Sequence, residues 1–342
     1  MKAAFLDDVG PPEVLRYGDL PTPNPKQGEI LIKVGAAALN PIDTYVRAGV
    51  VKMPIPKPFI TGSDVAGTVE AVGPDVKRFK IGDRVWGSNQ GLLGRQGTCA
   101  EYVCASEEFF YPTPSGVSDD DAAAAALVGI TAHLGLFQRA KLQPGETVFV
   151  NGGTGGVGSM VVQMAKAIGA RAIATVGSDE KAKVCKSWGA DCVLNYKTDD
   201  VPASIQKFTD GKGVNVWYET QREPDFFKMV DLMARRGRMI VMAGRQAQPT
   251  FPVGPFYVKD LALHGFAMFN ATTEEQRICA DDINRWLASK KLHIPIGRTF
   301  KIREAAAAHR LLEENTLQKA GTLTGKIVLH PAAANSLGQG GS

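Results

Sequence analysis

The sequence is poor in the residues that build covalent or metal-bound frameworks. It has five cysteines and five histidines among 342 residues. The cysteines are odd in number and lack C-x-x-C spacing, which argues against a disulfide framework and against a structural zinc site. The histidines are dispersed without metal-ligand spacing, so we expect each of them to be structural or on the surface.

Long apolar runs and a dominant charge are also missing. No apolar stretch approaches the roughly 18 residues of a membrane span, and the N-terminal residues lack the apolar core of a signal peptide. The formal net charge of +4 is small for this length, and no dense basic run indicates nucleic-acid binding. We therefore expect a cytoplasmic globular protein of two domains that binds neither membrane nor nucleic acid.

What the sequence does contain is an apolar strand that runs directly into a glycine-rich turn. The strand ends at Asn151. Gly153, Gly155 and Gly158 then match the G-x-G-x-x-G spacing of a dinucleotide pyrophosphate site. That spacing alone can arise by chance in a chain with 37 glycines. Apolar residues at helical spacing and a second strand, Arg171–Val176, follow the turn, so the motif lies in a βαβ unit.

The end of the second strand indicates which cofactor the turn would hold. An acidic residue there would bind the adenosine ribose of NAD, but the strand ends Val176-Gly177-Ser178 without a carboxylate. Lys181 and Lys183 follow one helical turn later, so a 2′-phosphate would meet a hydroxyl and ammonium groups. Asp179 and Glu180 weaken this interpretation, although they also suit the first turn of a helix. NADPH is favoured over NAD.

The pattern of strands and helices divides the chain. Residues 1–121 carry short strands broken by Gly and Pro clusters, which indicates a barrel or sandwich. From 122 to 265 strands and helices alternate, and six strands suit a doubly wound Rossmann domain. A C-terminal segment spans 266–331, and 332–342 is expected to be a disordered tail. We therefore predict an α/β fold in two domains.

Six motifs in a fixed order add a family resemblance. They are Asn40–Gly49, Gly62–Gly67, Val72–Val76, Gly82–Val85, Asn151–Gly158 and Gly325–Leu329. With them, residues 1–331 resemble the medium-chain dehydrogenase/reductase superfamily, specifically its zinc-independent quinone oxidoreductases, which include zeta-crystallin. The resemblance implies a chaperonin-10-like β-barrel domain that the C-terminal segment rejoins, an inserted NADPH-binding Rossmann domain, an active-site cleft between the two, and a homodimer.

The chain departs from the related alcohol dehydrogenases at the positions of their catalytic zinc. Where the resemblance places two cysteines and a histidine, this chain has Asn40, Gly129 and Ser63, the last of which is followed by Asp64. Asn and Ser are poor zinc ligands and Gly has no side chain. We therefore predict no catalytic metal, and the Lewis acid that an alcohol or aldehyde substrate needs would be missing.

The predicted reaction is hydride transfer from NADPH to a quinone. Reduction of an enal, enone or enoyl-thioester by the same chemistry stays open, as does a noncatalytic NADPH-binding protein. Asn40 and Tyr45 are the candidate catalytic residues, which would contact the conjugated oxygen. Alternatively, the Asn40 side chain hydrogen-bonds to the backbone of a loop, and Tyr45 is a half-buried packing residue. Asp43 is more typical of a helix cap than of an acid, so no acid–base pair is assigned.

The resemblance also implies cofactor contacts. Tyr45 matches a cofactor-contacting tyrosine, Thr131 a residue beside the nicotinamide, and Tyr196 the residue that covers the adenosine phosphate. The pyrophosphate turn would be Thr154, Gly155, Gly156 and Val157, the 2′-phosphate pocket Gly177, Ser178 and Lys181, and the nicotinamide contacts Met242, Ala243, Gly244, Arg245, Ala267, Met268 and Phe269. Core packing explains Met242, Ala243 and Met268 equally well. The bulky segment Tyr218–Asp225 either reshapes the substrate pocket or forms a surface loop.

Overall fold

The structure is a computed structural model that describes residues 1–318 and 320–331. The predicted disordered tail, 332–342, lies outside the described residues. The strands are β1 (Lys2–Leu6), β2 (Arg16–Asp19), β3 (Glu29–Leu39), β4 (Phe59–Ile60), β5 (Asp64–Val72), β6 (Arg84–Gly87), β7 (Tyr102–Ser106), β8 (Phe110–Pro112), β9 (Thr147–Asn151), β10 (Arg171–Val176), β11 (Cys192–Asn195), β12 (Val214–Glu219), β13 (Met233–Val241), β14 (Ala262–Gly265), β15 (Ile296–Lys301) and β16 (Lys326–His330). The α-helices are α1 (Pro41–Arg47), α2 (Asp119–His133), α3 (Gly156–Ala167), α4 (Asp179–Ser187), α5 (Val201–Phe208), α6 (Phe226–Leu232), α7 (Val253–Val258), α8 (Thr273–Ala288) and α9 (Ala305–Thr316).

The chain forms two compact units. The first takes residues 1–113, 118–124, 296–318 and 320–331, and the second takes 114–117 and 125–295. The resemblance implied that the segment 266–331 returns to the first domain, but the contacts give 266–295 to the second unit. The reason is helix α8, which packs there: the rings of Trp286 and Phe137 lie 5.8 Å apart, and Asp282 contacts His133.

Strand β3 is the centre of the first unit. The larger sheet of this unit has the order β15-β16-β3-β5-β6-β8, with β7 also paired to β3, and a smaller sheet has the order β2-β1-β4. The register of β3 against β5 shifts between Leu31 and Ile32 and again between Val34 and Ala36. Such irregularities bend a strand and increase its twist, so one long strand can serve three partners in a curved sheet.

The second unit is built on a six-stranded sheet of order β11-β10-β9-β12-β13-β14, in which neighbouring strands are parallel. In its central strand β9 the residues 148–150 form a continuous buried apolar run, as expected of a strand covered on both faces. The strand order reverses between β9 and β12. Ligands of such sheets bind at this point, outside the carboxyl ends of the strands. The predicted doubly wound α/β fold is confirmed, and the ends of β9 and β12 mark where its site is expected.

Helix α2 corrects one expectation from the sequence. A π-helical turn, Leu134–Arg139, continues it, so the helical run spans Asp119–Arg139. This run has 21 residues and a mean hydropathy of 1.2 over its most apolar window, which is enough to cross a membrane by length and composition. However, 78% of that window is buried inside the protein, and three aspartates form its first turn. Both features are typical of a core helix.

Candidate cofactor and active site

The glycine-rich turn connects β9 to α3, and its glycines have different surroundings. A Cβ on Gly158 would lie 2.0 Å from the carbonyl oxygen of Gly152, and a Cβ on Gly153 would lie 2.6 Å from the Cβ of Ala174. A Cβ on Gly155 would approach no described atom outside its chain neighbours closer than 3.5 Å. Two of the motif glycines are therefore required by packing, whereas Gly155 leaves open space above the turn.

Helix α3 begins at the edge of that space. Gly155 is its N-cap, and α3 has no acidic residue in its first turn and no side-chain cap hydrogen bond. The first N–H groups of a helix lack intrahelical partners and carry the positive end of its dipole. The backbone of Gly156 and Val157 therefore suits an anion, while Thr154 is largely buried beside them. The open space at Gly155 and this helix start fit the pyrophosphate of a dinucleotide.

A polar network that the sequence reasoning missed holds the base of the turn. The Asn151 side-chain Nδ2 donates to both carboxylate oxygens of Glu219, at 3.0 and 3.1 Å. The Thr175 hydroxyl donates to Asn151 Oδ1 at 2.8 Å and accepts from the Gly152 N–H at 2.9 Å. These side chains end β9, β10 and β12, or lie one residue before the end. Polar residues at the carboxyl ends of three apolar strands were the signal that could have found them.

Glu219 is the buried charge of this network. Its side chain also accepts from the Trp217 indole N–H at 3.1 Å and from the Gln221 backbone N–H at 2.7 Å. Burial raises the pKa of Glu219, and these donors, with Asn151, oppose the rise. A cavity of about 150 Å³ adjoins the network, lined in part by Asn151, Thr175, Tyr196 and Glu219. Several hydrogen bonds therefore fix the carboxylate beside Asn151, the residue that precedes the glycine-rich turn.

The segment Tyr218–Asp225 is not a detached surface loop. Tyr218 is buried and donates its hydroxyl to the carbonyl oxygen of Thr131 at 2.8 Å. The Thr220 hydroxyl donates to the carbonyl oxygen of Asn151. At its far end Asp225 caps α6 by accepting from the Lys228 N–H at 3.1 Å. The first half of the segment is therefore attached to the glycine-rich turn.

The residues predicted for a 2′-phosphate pocket lie together at the end of β10. Ser178 is the N-cap of α4 and accepts from the Lys181 N–H at 3.3 Å. A Cβ on Gly177 would lie 2.8 Å from the Tyr196 hydroxyl, and the Tyr196 side chain is otherwise 57% exposed. Asp179 is occupied by a hydrogen bond from the Asn195 side chain, at 3.1 Å. The Ser178 hydroxyl also hydrogen-bonds to the Glu180 carboxylate, so this corner holds hydroxyl groups with an acidic side chain beside them.

The remaining predicted contacts are spread over the second unit. Thr131 is buried, and its hydroxyl has no hydrogen-bond partner in the described structure. Met268 is buried, as core packing predicts. After β13 and β14 the other predicted contacts are partly or fully exposed: Met242, Ala243, Gly244, Arg245, Ala267 and Phe269. For Met242 and Ala243 the structure does not favour simple core packing.

In the first unit Asn40 lies in a buried polar cluster. Its Nδ2 donates to Ser63 Oγ at 3.1 Å and to Asp64 Oδ2 at 2.7 Å. Its Oδ1 accepts from Lys326 Nζ. The alternative interpretation gave Asn40 a loop backbone as its partner, whereas the structure gives it three side chains. Asp64 also accepts from the Ser88 hydroxyl at 2.6 Å.

Asp43 and Tyr45 extend from this cluster along α1. Asp43 Oδ2 accepts from the Asn40 backbone N–H at 2.7 Å, which is the predicted capping contact. Burial raises the pKa of Asp43 to about 7, and the Asn40 hydrogen bond opposes the rise. Tyr45 is half-buried. The end of α1 is held by Arg47, which is ion-paired with Glu313 on α9.

Comparison with known proteins gives matches over most of the chain. Residues 26–115 match the family model described as alcohol dehydrogenase GroES-like domain, and residues 156–282 match the one described as zinc-binding dehydrogenase. The quinone oxidoreductase of Homo sapiens is 32% identical over 332 residues, which are 96% of this chain and 97% of that protein.

Solved structures agree with this similarity. An NAD-dependent alcohol dehydrogenase superposes with a TM-score of 0.87 at 32% identity, covering 97% of this chain and 100% of that one. The Escherichia coli quinone oxidoreductase complexed with NADPH superposes with a TM-score of 0.84 at 28% identity and the same coverage. These two proteins differ in cofactor, so the likeness alone does not choose between NAD and NADPH.

The family model that matches residues 156–282 is described as a zinc-binding dehydrogenase. The Asn40 cluster, however, does not suit zinc. Zinc sites in proteins use cysteine, histidine and carboxylate ligands. Here the Asn40 oxygen already accepts from an ammonium group, and the Asp64 carboxylate is held by Ser88 and Asn40. Within residues 1–318 and 320–331, no group of three or more His, Cys, Asp or Glu side chains is placed to hold a metal ion.

Proposed function

Because the chain belongs to the medium-chain dehydrogenase/reductase family and is an oxidoreductase of the quinone reductase type, we propose that it transfers hydride from NADPH to a quinone without a catalytic metal. The observation that carries this proposal is the contrast among the motif glycines: Gly153 and Gly158 are closed by packing, and Gly155 is open beside the start of α3. That contrast is what a pyrophosphate site requires.

We assign residues to the pyrophosphate and to the 2′-phosphate of the cofactor. The N–H groups of Gly156 and Val157 would hold the pyrophosphate. Ser178 and Lys181 would bind the 2′-phosphate, and Tyr196 would cover it. NADPH supplies the hydride, a quinone takes it together with one proton, and the products are NADP⁺ and a hydroquinone. The absence of a carboxylate at the end of β10 supports NADPH over NAD.

The first unit would supply the contacts to the acceptor. A quinone spreads the arriving charge over a conjugated oxygen, so a hydrogen bond and a fixed orientation can suffice. We assign that hydrogen bond to the Tyr45 hydroxyl, because Tyr45 is half-buried on the helix that Asn40 begins. Asn40 was also expected at the conjugated oxygen, but it is fully buried with its amide hydrogen-bonded to three side chains, so we assign it the start of this helix instead. Solvent provides the proton.

An acceptor panel tests this proposal. Dihydronicotinamide absorbance is followed with NADPH and a series of quinones, then with enals, enones and enoyl-thioesters. Faster oxidation of NADPH by quinones supports the proposal. Faster oxidation by the unsaturated carbonyls would make the protein a carbon–carbon double-bond reductase, and tight NADPH binding without oxidation by any acceptor would make it a noncatalytic binding protein.

We further propose a homodimer in the cytoplasm. Val253, Tyr257 and Val258 on α7 are 63%, 65% and 58% exposed, and β14 is an edge strand of the six-stranded sheet. Exposed apolar side chains on a helix and an edge strand are each features of a partner surface. Light scattering of the eluting protein should give twice the chain mass, and Tyr257→Lys should shift it towards the monomer. A wild-type monomer would refute the dimer.

A further inference from the structure

Lys326 is the buried lysine of the described chain. It begins β16, is 5% exposed, and donates to Asn40 Oδ1. Its Nζ also lies 3.5 Å from Asp64 Oδ2. Removing an ammonium group from water is costly unless a counter-charge and hydrogen bonds replace the lost solvent. The fully buried Asp64 carboxylate supplies the counter-charge here, because its side chain is 0% exposed.

The ammonium also determines how the Asn40 amide is oriented. Oxygen and nitrogen of an amide are distinguished by their hydrogen-bond partners. With the amide as it stands, Oδ1 faces the ammonium of Lys326 and Nδ2 faces the carboxylate of Asp64. A flipped amide would place its N–H groups against the ammonium and its oxygen against the carboxylate. Both contacts would be repulsive, so the charge pair locks Asn40 in one orientation.

The locked residue begins the helix that carries Tyr45. Asn40 precedes α1, and its backbone N–H donates to Asp43 within the first turn. Lys326, which contacts Asn40 in this cluster, comes from a distant part of the chain, 286 residues away. A strand from the C-terminal segment therefore fixes the start of an N-terminal helix.

We propose that Lys326 is a built-in cation of this site: its ammonium balances Asp64, orients Asn40 and thereby positions α1, in the cluster that does not suit zinc. Lys326 is a positioning residue, because it acts through Asn40 and not by contact with the acceptor. The expected effect of Lys326 on catalysis rests on the proposed function, in which Tyr45 contacts the acceptor. Its expected effect on stability rests only on the contacts within the Asn40 cluster.

A charge-removal cycle tests both effects. The variants are Lys326→Met, Asp64→Asn and the double variant, assayed as full-length protein for thermal unfolding, for the KM of NADPH and for kcat with a quinone. Lys326→Met leaves Asp64 without its cation, and Asp64→Asn leaves Lys326 with Asp43 as its nearby buried carboxyl group, so each single variant should lower Tm. The double variant removes both charges and should regain most of that loss. Its kcat should stay about tenfold below wild type with an unchanged KM for NADPH, since the Lys326–Asp64 pair no longer orients Asn40.

The Lys166–Asp191 pair is a matched control. These side chains are 30% exposed, and Lys166 Nζ lies 2.9 Å from Asp191 Oδ1 in the second unit. Lys166→Met with Asp191→Asn repeats the same chemistry away from the Asn40 cluster and should leave kcat unchanged.

Two results would overturn the inference independently of the proposed function. If the double variant is no more stable than the single variants, the charges are not paired. If it turns over at the wild-type rate while the wild type is an active quinone reductase, the ammonium does not position the helix. Failure of the wild type to oxidise NADPH with any acceptor would instead refute the proposed function, and the unfolding cycle would still decide the pairing.

Discussion

Replacing two glycines of the same turn should separate its packing role from its cofactor role. In Gly158→Ala the new Cβ would lie 2.0 Å from the Gly152 oxygen and 3.2 Å from the Gly153 Cα. Both neighbours are backbone atoms, so no side-chain rotation can relieve the overlap. Overpacking of this kind costs about 1–3 kcal/mol. We therefore expect a clear loss of stability in chemical denaturation.

Gly155→Ala should behave in the opposite way. Its Cβ would meet the Gly152 oxygen at 3.5 Å, an ordinary contact, and the backbone at φ −70° and ψ 167° is open to alanine. Stability should stay near the wild-type value. The methyl group would however occupy the space assigned to the pyrophosphate, so NADPH should bind roughly tenfold or more weakly, about 1.4 kcal/mol.

Isothermal titration calorimetry with NADPH measures the effect on cofactor binding. Urea denaturation of the same protein preparations measures the effect on stability. The reasoning fails if Gly155→Ala binds NADPH as tightly as the wild type, because the open space would then not be the phosphate site. It fails equally if Gly158→Ala is as stable as the wild type, because the turn would then tolerate the overlap on which the packing argument depends.

Three further predictions follow from other parts of the site. Lys181→Ala should weaken the binding of NADPH far more than the binding of NADH, whereas Lys186→Ala on the same helix should change the affinity for neither cofactor. Equal losses of affinity for both cofactors in Lys181→Ala would show that Lys181 does not bind the 2′-phosphate. Glu219→Gln places an N–H group where the carboxylate accepts three donors, so urea denaturation should show a loss of about 1–3 kcal/mol, and an unchanged midpoint would contradict the network. Burial raises the Asp43 pKa from 3.8 to about 7, so the folded protein holds this proton more tightly. The wild type should therefore gain stability over the Asp43→Asn variant at low pH. This gain should be complete below about pH 4 and lost as pH rises to about 7. A difference in Tm between the two proteins that does not change with pH would refute this prediction.

The sequence could predict the parts of the site that lie close together along the chain. The strand, the glycine turn and the helix around Gly155 follow from hydrophobic period and glycine spacing, which are local properties. The capping role of Asp43 at the start of α1 is local too. All of these lie where the patterns placed them.

Contacts between distant segments could not be predicted in this way. The bond between Asn151 and Glu219 joins residues 68 apart, and its geometry depends on β9 and β12 becoming neighbours. Lys326 is the first residue of the apolar strand β16, where a sequence pattern alone predicts a solvated charge. Its burial beside Asp64 results from the pairing of β16 with β3 and of β3 with β5. Strand pairing over such separations is a tertiary property, which propensity and period do not contain.

The central claim is that this chain passes hydride from NADPH to a quinone without a metal. The most direct measurement mixes the NADPH-saturated protein, dialysed against a chelator, with a quinone and follows dihydronicotinamide absorbance and hydroquinone formation together. We predict one hydroquinone for each NADPH oxidised, at a rate that added zinc does not change. Binding of NADPH without its oxidation, or turnover that chelation abolishes and stoichiometric zinc restores, would contradict the account.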